Sequence, residues 1–273
     1  MEISLVVKIG SMALIQKQDT AIDYNIFQRL ASDLQPGMIL ITSGAAEIGR
    51  LDYIRRTGKE LNGFPEADKV DYAAQGQAIL MSVYRQFINP EYGVRQILLE
   101  HNHFNDEKRR EHIHALFKRA VEQNTIPIVN YNDTVSDEEV RKMELASCRE
   151  KSEDVVECID NDETAEVVAK LMGAKTLLLL TNTQGIYLDK NNPDTLVTNI
   201  SGKNIKEVEE KVNNLMQHCQ GASRKGAAGA GAKLAYALRA VQAGANVVIG
   251  NAKYHIQDLV EGNVPCTRIS VEK

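Results

Sequence analysis

The sequence predicts an α/β fold with a mostly parallel, open β-sheet. Three observations lead to this prediction: the strands are short and continuously apolar, helical segments separate them, and small or polar residues follow each strand. Right-handed crossovers bring the carboxyl ends of parallel strands to one edge of the sheet. Because ligands of such sheets bind at that edge, the residues that follow each strand are the candidate site residues.

The first half of the chain alternates strand and helix twice. An apolar strand over residues 3–9 runs into Gly10-Ser11, and helical spacing over 23–34 ends at Pro36-Gly37. The apolar run 38–42 predicts the second strand, which ends in Ser43-Gly44. A long helical pattern over 68–87 then precedes a strand over 94–99.

The second half continues the alternation. A polar amphipathic helix is predicted over 106–123, before a buried strand over 126–129 that leads into Asn130-Tyr131-Asn132-Asp133. The remaining helices are predicted over 162–172 and 233–243, and the remaining strands over 176–180 and 247–249. The sequence is interpreted as one domain, 1–273, with a charged arm or lid around 136–157. That segment has a weak apolar period, which is compatible either with a solvated excursion or with a lid or oligomer arm over the acceptor pocket.

Composition narrows the functional classes. The chain has 273 residues, 43% hydrophobic and 25% charged, and its net charge of −5 argues against a nucleic-acid surface. Its four cysteines form no C-x-x-C pair, so a reducing, cytoplasmic setting is expected. No signal peptide and no run as long as a membrane span is visible. We expect a small-molecule substrate, no nucleic-acid or membrane partner, and a homo-oligomer.

The sequence does not match several common functional motifs. The P-loop pattern is absent, and the glycines from Gly226 to Gly231 have the spacing of a dinucleotide fingerprint reversed. No nucleophile elbow is present, because no glycine lies two residues before Ser43. His112 and His114 are two residues apart and would point to different sides of a helix, so no metal site is predicted.

Two lysines and an acidic helix start remain as candidates. Lys8, at the exit of an apolar strand beside Gly10, fits a phosphate partner, although an edge-strand lysine reaching water fits as well. Asp160-Asn161-Asp162 opens a helix; capping would explain one aspartate but not both. The small-residue loop 226–231 that leads to Lys233 fits a polyphosphate, and equally a flexible linker with a surface lysine.

Taken in order, these segments resemble the amino acid kinase family, and within it most closely the glutamate 5-kinases. The resemblance covers nearly the whole chain. The motifs that carry it are Val7-Lys8-Ile9-Gly10-Ser11, Thr42-Ser43-Gly44-Ala45, Ala73-Ala74-Gln75-Gly76-Gln77, the run from Ile126 to Val135, Asp160-Asn161-Asp162, Leu179-Leu180-Thr181 with Gly185-Ile186-Tyr187, and the run from Gly226 to Leu234.

The resemblance implies a three-layer α/β/α sandwich that transfers the γ-phosphoryl group of ATP, with Mg²⁺, to the side-chain carboxylate of glutamate. That reaction gives γ-glutamyl phosphate for proline biosynthesis. The implied catalytic residues are Lys8, Lys233 and Asp162. The implied substrate-binding residues are Ser43, Gly44, Asp133 and Asn161. The implied ATP-binding residues are Lys8, Gly10, Ser11, Thr181, Asn182, Gly185, Tyr187, Gly226, Gly229 and Lys233. No residue is assigned to a metal.

Some positions depart from the family pattern. Tyr131 replaces a glutamate, Asn182 an aspartate, and the loop from Gly226 to Ala230 has alanines where the family has glycine and threonine. We also expect no C-terminal RNA-binding-like domain. These departures leave two alternatives: a family enzyme with another acceptor such as UMP, or a catalytically weak nucleotide- or amino-acid-binding regulator. The lack of an added arginine near Asp133 in the sequence argues against a phosphate acceptor such as UMP.

Overall fold

The computed structural model describes residues 2–16, 21–135, 138–150, 155–158, 160–189, 191–218 and 229–272. Its helices are α1 (Tyr24–Asp33), α2 (Ala45–Thr57), α3 (Pro65–Phe87), α4 (Asn102–Asn105), α5 (Glu107–Glu122), α6 (Glu138–Arg149), α7 (Asn161–Met172), α8 (Ile205–His218), α9 (Ala230–Gln242) and α10 (Ile256–Glu261). Its strands are β1 (Leu5–Ile9), β2 (Met38–Thr42), β3 (Gly93–Leu99), β4 (Thr125–Tyr131), β5 (Thr176–Thr181), β6 (Ile186–Tyr187), β7 (Leu196–Val197), β8 (Asn199–Gly202), β9 (Asn246–Asn251) and β10 (Cys266–Val271). The predicted α/β class with a mostly parallel sheet, here of eight strands, is confirmed.

The chain divides into two compact units. The first contains Met1–Ile9, Gly37–Ile41 and Ile159–Lys273, and the second contains Gly10–Pro36 and Thr42–Cys158. Each unit therefore combines segments that are distant in the sequence. The interpretation of the chain as one domain stays a prediction.

In the first unit, six strands of the main sheet follow the order β2-β1-β5-β9-β10-β8. The pairs β1–β5, β5–β9 and β8–β10 are parallel, whereas β9 and β10 are antiparallel. The central strands are buried and mostly apolar, as in Leu177–Leu180 of β5, because helices cover them. Lys8 lies in this buried region, opposite Leu179 of β5.

In the second unit, β3 and β4 pair in parallel, with Val94 opposite Ile126. Helices α2 and α3 pack closely because two glycines face each other's backbone. A Cβ on Gly76 would lie 1.8 Å from the carbonyl oxygen of Ala45, and one on Gly49 would lie 1.8 Å from that of Tyr72. Gly76, part of one predicted motif, therefore lets the start of α2 approach α3.

The charged segment is a helix over much of its length. Helix α6 covers Glu138–Arg149, with Leu145 buried and with Val140 and Met143 exposed. His101 Nε2 lies 2.9 Å from Glu144 Oε2, which joins α6 to the loop after β3. The segment belongs to the second unit and is packed in part against the rest of that unit, so it is not wholly solvated. No helix among the described residues is long and apolar enough to cross a membrane.

Candidate functional site

Lys8, Asp162 and Lys233 meet in the first unit. Lys8 Nζ lies 2.6 Å from Asp162 Oδ1, and Lys233 Nζ hydrogen-bonds Asp162 Oδ2. β1, α7 and α9 supply one side chain each, and α7 packs against both of the other elements. The interpretation of Lys8 and Lys233 as surface lysines is wrong, because both side chains are largely buried against one carboxylate.

The two aspartates at the start of α7 have separate tasks. Asp160 is the N-cap: its Oδ1 accepts hydrogen bonds from the backbone N–H groups of Asp162 at 2.8 Å and Glu163 at 3.0 Å. Capping therefore explains Asp160 and fixes the first turn. Asp162 is not needed for the cap, so its carboxylate is available to hold the two lysines.

The charges in this cluster do not balance. The side-chain exposures of Lys8, Asp162 and Lys233 are 10%, 6% and 16%, so two ammonium groups and one carboxylate are mostly removed from water. Burial alone would raise the pKa of Asp162, but the charges of Lys8 and Lys233 outweigh burial and hold that pKa far below its usual range. Burial lowers the pKa of Lys233, and the charge of Lys8 adds to this against the attraction of Asp162. The excess positive charge favours binding of an anion.

The acceptor residues predicted after β2 lie in the second unit. Ser43 is half-buried, and Gly44 is the N-cap of α2 with φ of +103°, a conformation that glycine adopts without strain. A Cβ on Gly44 would lie 3.3 Å from Leu14 Cδ1 and 3.9 Å from the Cα of Ser11. The turn after β1 and the turn after β2 are therefore adjacent, as the edge-of-sheet argument predicts.

Asp133 lines a small cavity in the same unit. The cavity is open to solvent, and its empty space of about 170 Å³ includes the solvent at its mouth. Its lining residues come from α2, α3, β3, β4 and the turn after β4: Ala45, Ala73, Gln77, Leu98, Asn130, Tyr131, Asp133 and Thr134. Asp133 Oδ1 lies 3.5 Å from Nζ of Lys69, a long contact to a side chain that is 66% exposed. Such a contact is weak, so the Asp133 carboxylate is available to a cation such as an ammonium group.

An arginine of helix α6 contacts one residue of the cavity wall. The guanidinium carbon of Arg141 lies 5.6 Å from the centre of the Tyr131 ring, and its NH2 group donates to the carbonyl oxygen of Glu157 at 2.7 Å. The expectation that no added arginine lies near Asp133 stays a prediction, because this contact is with Tyr131. A phosphate-bearing acceptor therefore needs a direct test.

The predicted nucleotide residues after β5 form a turn in the first unit. Thr181 Oγ1 accepts from the backbone N–H of Thr183 at 3.0 Å, and the Asn182 carbonyl accepts from Asn251 Nδ2 at 3.0 Å. Gly185 lies against β10, where a Cβ would approach Thr267 Oγ1 to 2.4 Å. Tyr187 ends the short strand β6 and is half-buried. Both ends of the turn are attached to the sheet: Thr181 ends β5, and the N–H of Ile186 donates to Thr267 Oγ1 of β10 at 2.8 Å.

The remaining candidates occupy helix starts. Gly10 precedes a 3₁₀ turn, Ser11–Ala13, and its carbonyl accepts from Ala13 N at 3.1 Å. Gly229 is the N-cap of α9, and its carbonyl accepts from Lys233 N at 3.2 Å. Asn161 is the first residue of α7. Gly226 lies outside the described residues. The structure thus brings Lys8, Asp162 and Lys233 together in one unit, and Ser11 and Gly44 in the other.

Glu166 is a buried carboxylate that the sequence analysis did not single out. It lies one turn beyond Asp162 in α7 and is 4% exposed. Burial raises the pKa of Glu166 to about 7, the charge of Glu163 adds to the rise, and Arg239 and Lys170 oppose it. No hydrogen bond or ion pair holds this carboxylate within the described part of the chain. Its position on the apolar face of α7 was the available signal.

Glu166→Gln is expected to stabilise the protein at pH 8 but not at pH 4.5. An acid whose pKa is raised on folding binds more protons when folded, so wild-type stability falls as pH rises from the unfolded value to about 7. The whole effect has an upper bound of about 3 kcal/mol. Urea unfolding at several pH values measures it. Glu210→Gln, on the exposed side of α8, is the control; an equal gain at every pH would contradict the prediction.

The described residues contain no group of three or more histidine, cysteine or acidic side chains that could hold a metal ion. The buried cluster has two ammonium groups on one carboxylate. This donor set fits a phosphate chain, whose oxygens could themselves carry a divalent cation.

The chain is similar in sequence to known proteins. A sequence model described as the amino acid kinase family matches residues 4–251. The glutamate 5-kinase of Streptococcus suis (strain 05ZYH33) is 30% identical over 259 residues, which cover 92% of this chain and 65% of that protein. The chain therefore spans slightly less than two thirds of that relative's length.

Solved structures match over the full length. The carbamate kinase from Giardia lamblia bound to AMP-PNP has a TM-score of 0.60 at 13% identity, covering 100% of this chain and 99% of that one. The UMP kinase from Ureaplasma parvum has a TM-score of 0.55 at 14% identity and covers 100% of both chains. At these identities the likeness shows a shared fold.

Proposed function

The chain belongs to the amino acid kinase family, and from that premise we propose that it transfers the γ-phosphoryl group of ATP to the side-chain carboxylate of L-glutamate. The product would be γ-glutamyl phosphate, the first intermediate of proline biosynthesis. The observation that carries the proposal is the pair of buried ammonium groups on one carboxylate, Lys8 and Lys233 on Asp162. The 30% identity to a glutamate 5-kinase supports the choice of acceptor.

The chemistry suits these residue types. A side-chain carboxylate has a reference pKa of about 4.3, so it is ionised at neutral pH and needs no general base. The difficulty is to bring two anions together in line, and positioning with cationic stabilisation supplies most of the catalysis in phosphoryl transfer. An oxygen of the acceptor carboxylate bonds to the γ-phosphorus while the bond to the β–γ bridging oxygen breaks, and ADP leaves with that electron pair.

The proposed roles follow from the charges. Lys8 and Lys233 stabilise the negative charge on the transferring group, and Asp162 holds both ammonium groups in place. Gly10 and Gly44 are proposed to offer backbone N–H donors. Ser43, Asp133 and Asn161 bind the amino acid, and the Asp133 carboxylate accepts from its ammonium group.

The nucleotide is proposed to bind at the turns after β5 and before α9. The residues proposed for it are Ser11, Thr181, Asn182, Gly185, Tyr187, Gly226 and Gly229, with the two lysines. The unbalanced positive charge of the buried cluster fits the triphosphate. Mg²⁺ bound to the phosphates would neutralise further charge, and no protein ligand is assigned to it.

A panel of acceptors tests this function. The purified protein with Mg-ATP is expected to release ADP when L-glutamate is added, and hydroxylamine is expected to trap the acyl phosphate as a hydroxamate. Aspartate, carbamate and UMP serve as comparison acceptors. Turnover with one of these and none with glutamate would overturn the choice of acceptor, whereas binding of ATP and glutamate without turnover would indicate a regulator.

The position of Arg141 supports a second candidate, a phosphate-bearing acceptor such as UMP. Its guanidinium group lies against the ring of Tyr131, a residue of the cavity wall, and arginine pairs well with phosphate. The UMP arm of the same panel decides between the two acceptors. Arg141→Met would lower UMP turnover and leave glutamate turnover unchanged if both acceptors react.

A further inference from the structure

A buried amide pair lies behind the cavity that Asp133 lines. Gln77 of α3 is 9% exposed and Asn130 of β4 is 2% exposed. Asn130 Nδ2 donates to Gln77 Oε1 at 2.9 Å, and Asn130 Oδ1 accepts from the backbone N–H of Tyr131 at 2.9 Å. Both amides belong to the wall of the cavity.

The backbone fixes the orientation of both amides. The N–H of Tyr131 can only donate, so the atom of Asn130 that faces it is the oxygen. Asn130 Nδ2 must then face Gln77, and only the oxygen of Gln77 can accept from it. Gln77 Nε2 is consequently turned away from Asn130, and flipping either amide would place two donors or two acceptors face to face.

Gln77 Nε2 is a donor that has no hydrogen-bond partner among the described residues. The atom is buried, and among the residues that the structure describes none accepts a hydrogen bond from it. Leaving a buried donor without an acceptor is destabilising. Such groups usually have a ligand or a water as their partner in the functional state.

The same cavity presents a donor and an anion. Gln77 Nε2 suits a carboxylate, and the Asp133 carboxylate suits an ammonium group. An α-amino acid carries these two groups on one carbon atom. A ligand whose ammonium group binds Asp133 carries its α-carboxylate a few ångströms away, and Asp133 and Gln77 line the same cavity.

We propose that Gln77 determines acceptor specificity by donating a hydrogen bond from Nε2 to the α-carboxylate of the amino acid, with Asn130 holding the amide in that orientation. This inference rests on the proposed function and identifies the α-carboxylate as the group of the acceptor that the cavity recognises. It requires the enzyme to discriminate between glutamate and 4-aminobutyrate, which retains the amino group and the reacting carboxylate but lacks the α-carboxylate.

Gln77→Glu tests the proposal with little change of shape. One carboxylate oxygen can still accept from Asn130 Nδ2, while the other replaces the donor with a negative charge. The KM for glutamate is expected to rise by about 10- to 100-fold, while the KM for ATP and the KM for 4-aminobutyrate stay within about twofold. Gln86→Glu makes the same chemical change at an exposed position of α3 and is the matched control.

Two outcomes would overturn the proposal: an unchanged KM for glutamate, or an equal rise for glutamate and 4-aminobutyrate. If Gln77→Glu does not fold, Gln77→Met replaces it, and the KM for glutamate is then expected to rise by about tenfold. If wild type binds glutamate in calorimetry without turning it over, the proposed function fails alone, and the effect of the variant on Kd decides this inference. If wild type does not bind glutamate, both fail.

Discussion

Replacing Lys8 or Lys233 with methionine is expected to lower kcat by about 10²- to 10³-fold and to leave the protein folded. Each ammonium group is proposed to stabilise charge that develops on the transferring phosphoryl group. Methionine keeps the apolar stem of lysine, so packing in the interior of the first unit changes little. The remaining lysine still pairs with Asp162, so no buried carboxylate is left alone.

The stability of these variants separates catalysis from folding. Removing one of two buried like charges relieves their repulsion, so the unfolding free energy of each single variant is expected to equal or exceed that of wild type. The double variant leaves Asp162 without an ammonium partner and is expected to lose about 3–5 kcal/mol. Steady-state kinetics and urea unfolding measure the two quantities.

Lys175→Met is the matched control for both lysines. Lys175 is exposed and directly precedes β5, so it lies at the opposite end of that strand from the turn at Thr181. Its replacement is expected to change neither kcat nor stability. A single variant at Lys8 or Lys233 that kept kcat within threefold of wild type would show that the phosphate roles are wrong.

The sequence located the buried strands and the edge of the sheet well. β2 coincides with its predicted bounds, and β1, β5 and β9 differ from theirs only at their ends. Continuous apolar runs specify burial on both faces, and this signal is local. The pairing of Lys8 with Lys233 could be expected only from the resemblance, because composition and spacing left a surface lysine equally open.

Other elements were missed for identifiable reasons. Helix α8 has apolar residues at Ile205, Val208, Val212 and Leu215, a helical period that the analysis could have used. Strand β10 is antiparallel to β9, and no local pattern gives the direction of a strand. Helix α2 has a weak apolar period and depends on the contact of its glycine with α3, which is a tertiary interaction.

The amide pair at the cavity also depends on a tertiary contact that no local sequence pattern predicts. Gln77 lies in one of the motifs that carry the resemblance, and Asn130 lies in another. Their hydrogen bond joins positions 53 residues apart, so the orientation of each amide is set by a partner that only the fold supplies. The sequence predicted that Asn130 lies at the edge of the sheet, whereas the fold placed Gln77 beside it and hydrogen-bond geometry assigned the donor.

Asp162→Asn is expected to have the largest effect on stability and an effect on kcat of at least 10²-fold. Two buried ammonium groups would then face a neutral amide, and breaking a buried pair in this way costs about 3–5 kcal/mol. Asp160→Asn is the matched control: asparagine can still accept the two backbone hydrogen bonds of the cap, so its loss is expected to stay below about 1 kcal/mol.

The pH dependence of the stability of Asp162→Asn shows whether unpaired lysine charge causes the loss of stability. Burial already lowers the pKa of Lys233, and loss of the attraction of Asp162 is expected to lower it further. A lysine with a lowered pKa binds fewer protons when folded than when unfolded, so stability rises with pH up to the unfolded value of about 10.4. The deficit against wild type should therefore be smaller at pH 9 than at pH 7.

Anion binding provides an independent test of the charge effect in Asp162→Asn. Without the carboxylate the cluster has two positive charges instead of one, so tripolyphosphate should raise the melting temperature of Asp162→Asn by more than that of wild type. The KM for ATP should not rise, although kcat falls, because the aspartate positions the lysines rather than binding the nucleotide. A stability deficit independent of both pH and tripolyphosphate would mean that the carboxylate acts in packing and not as the shared partner of two ammonium groups.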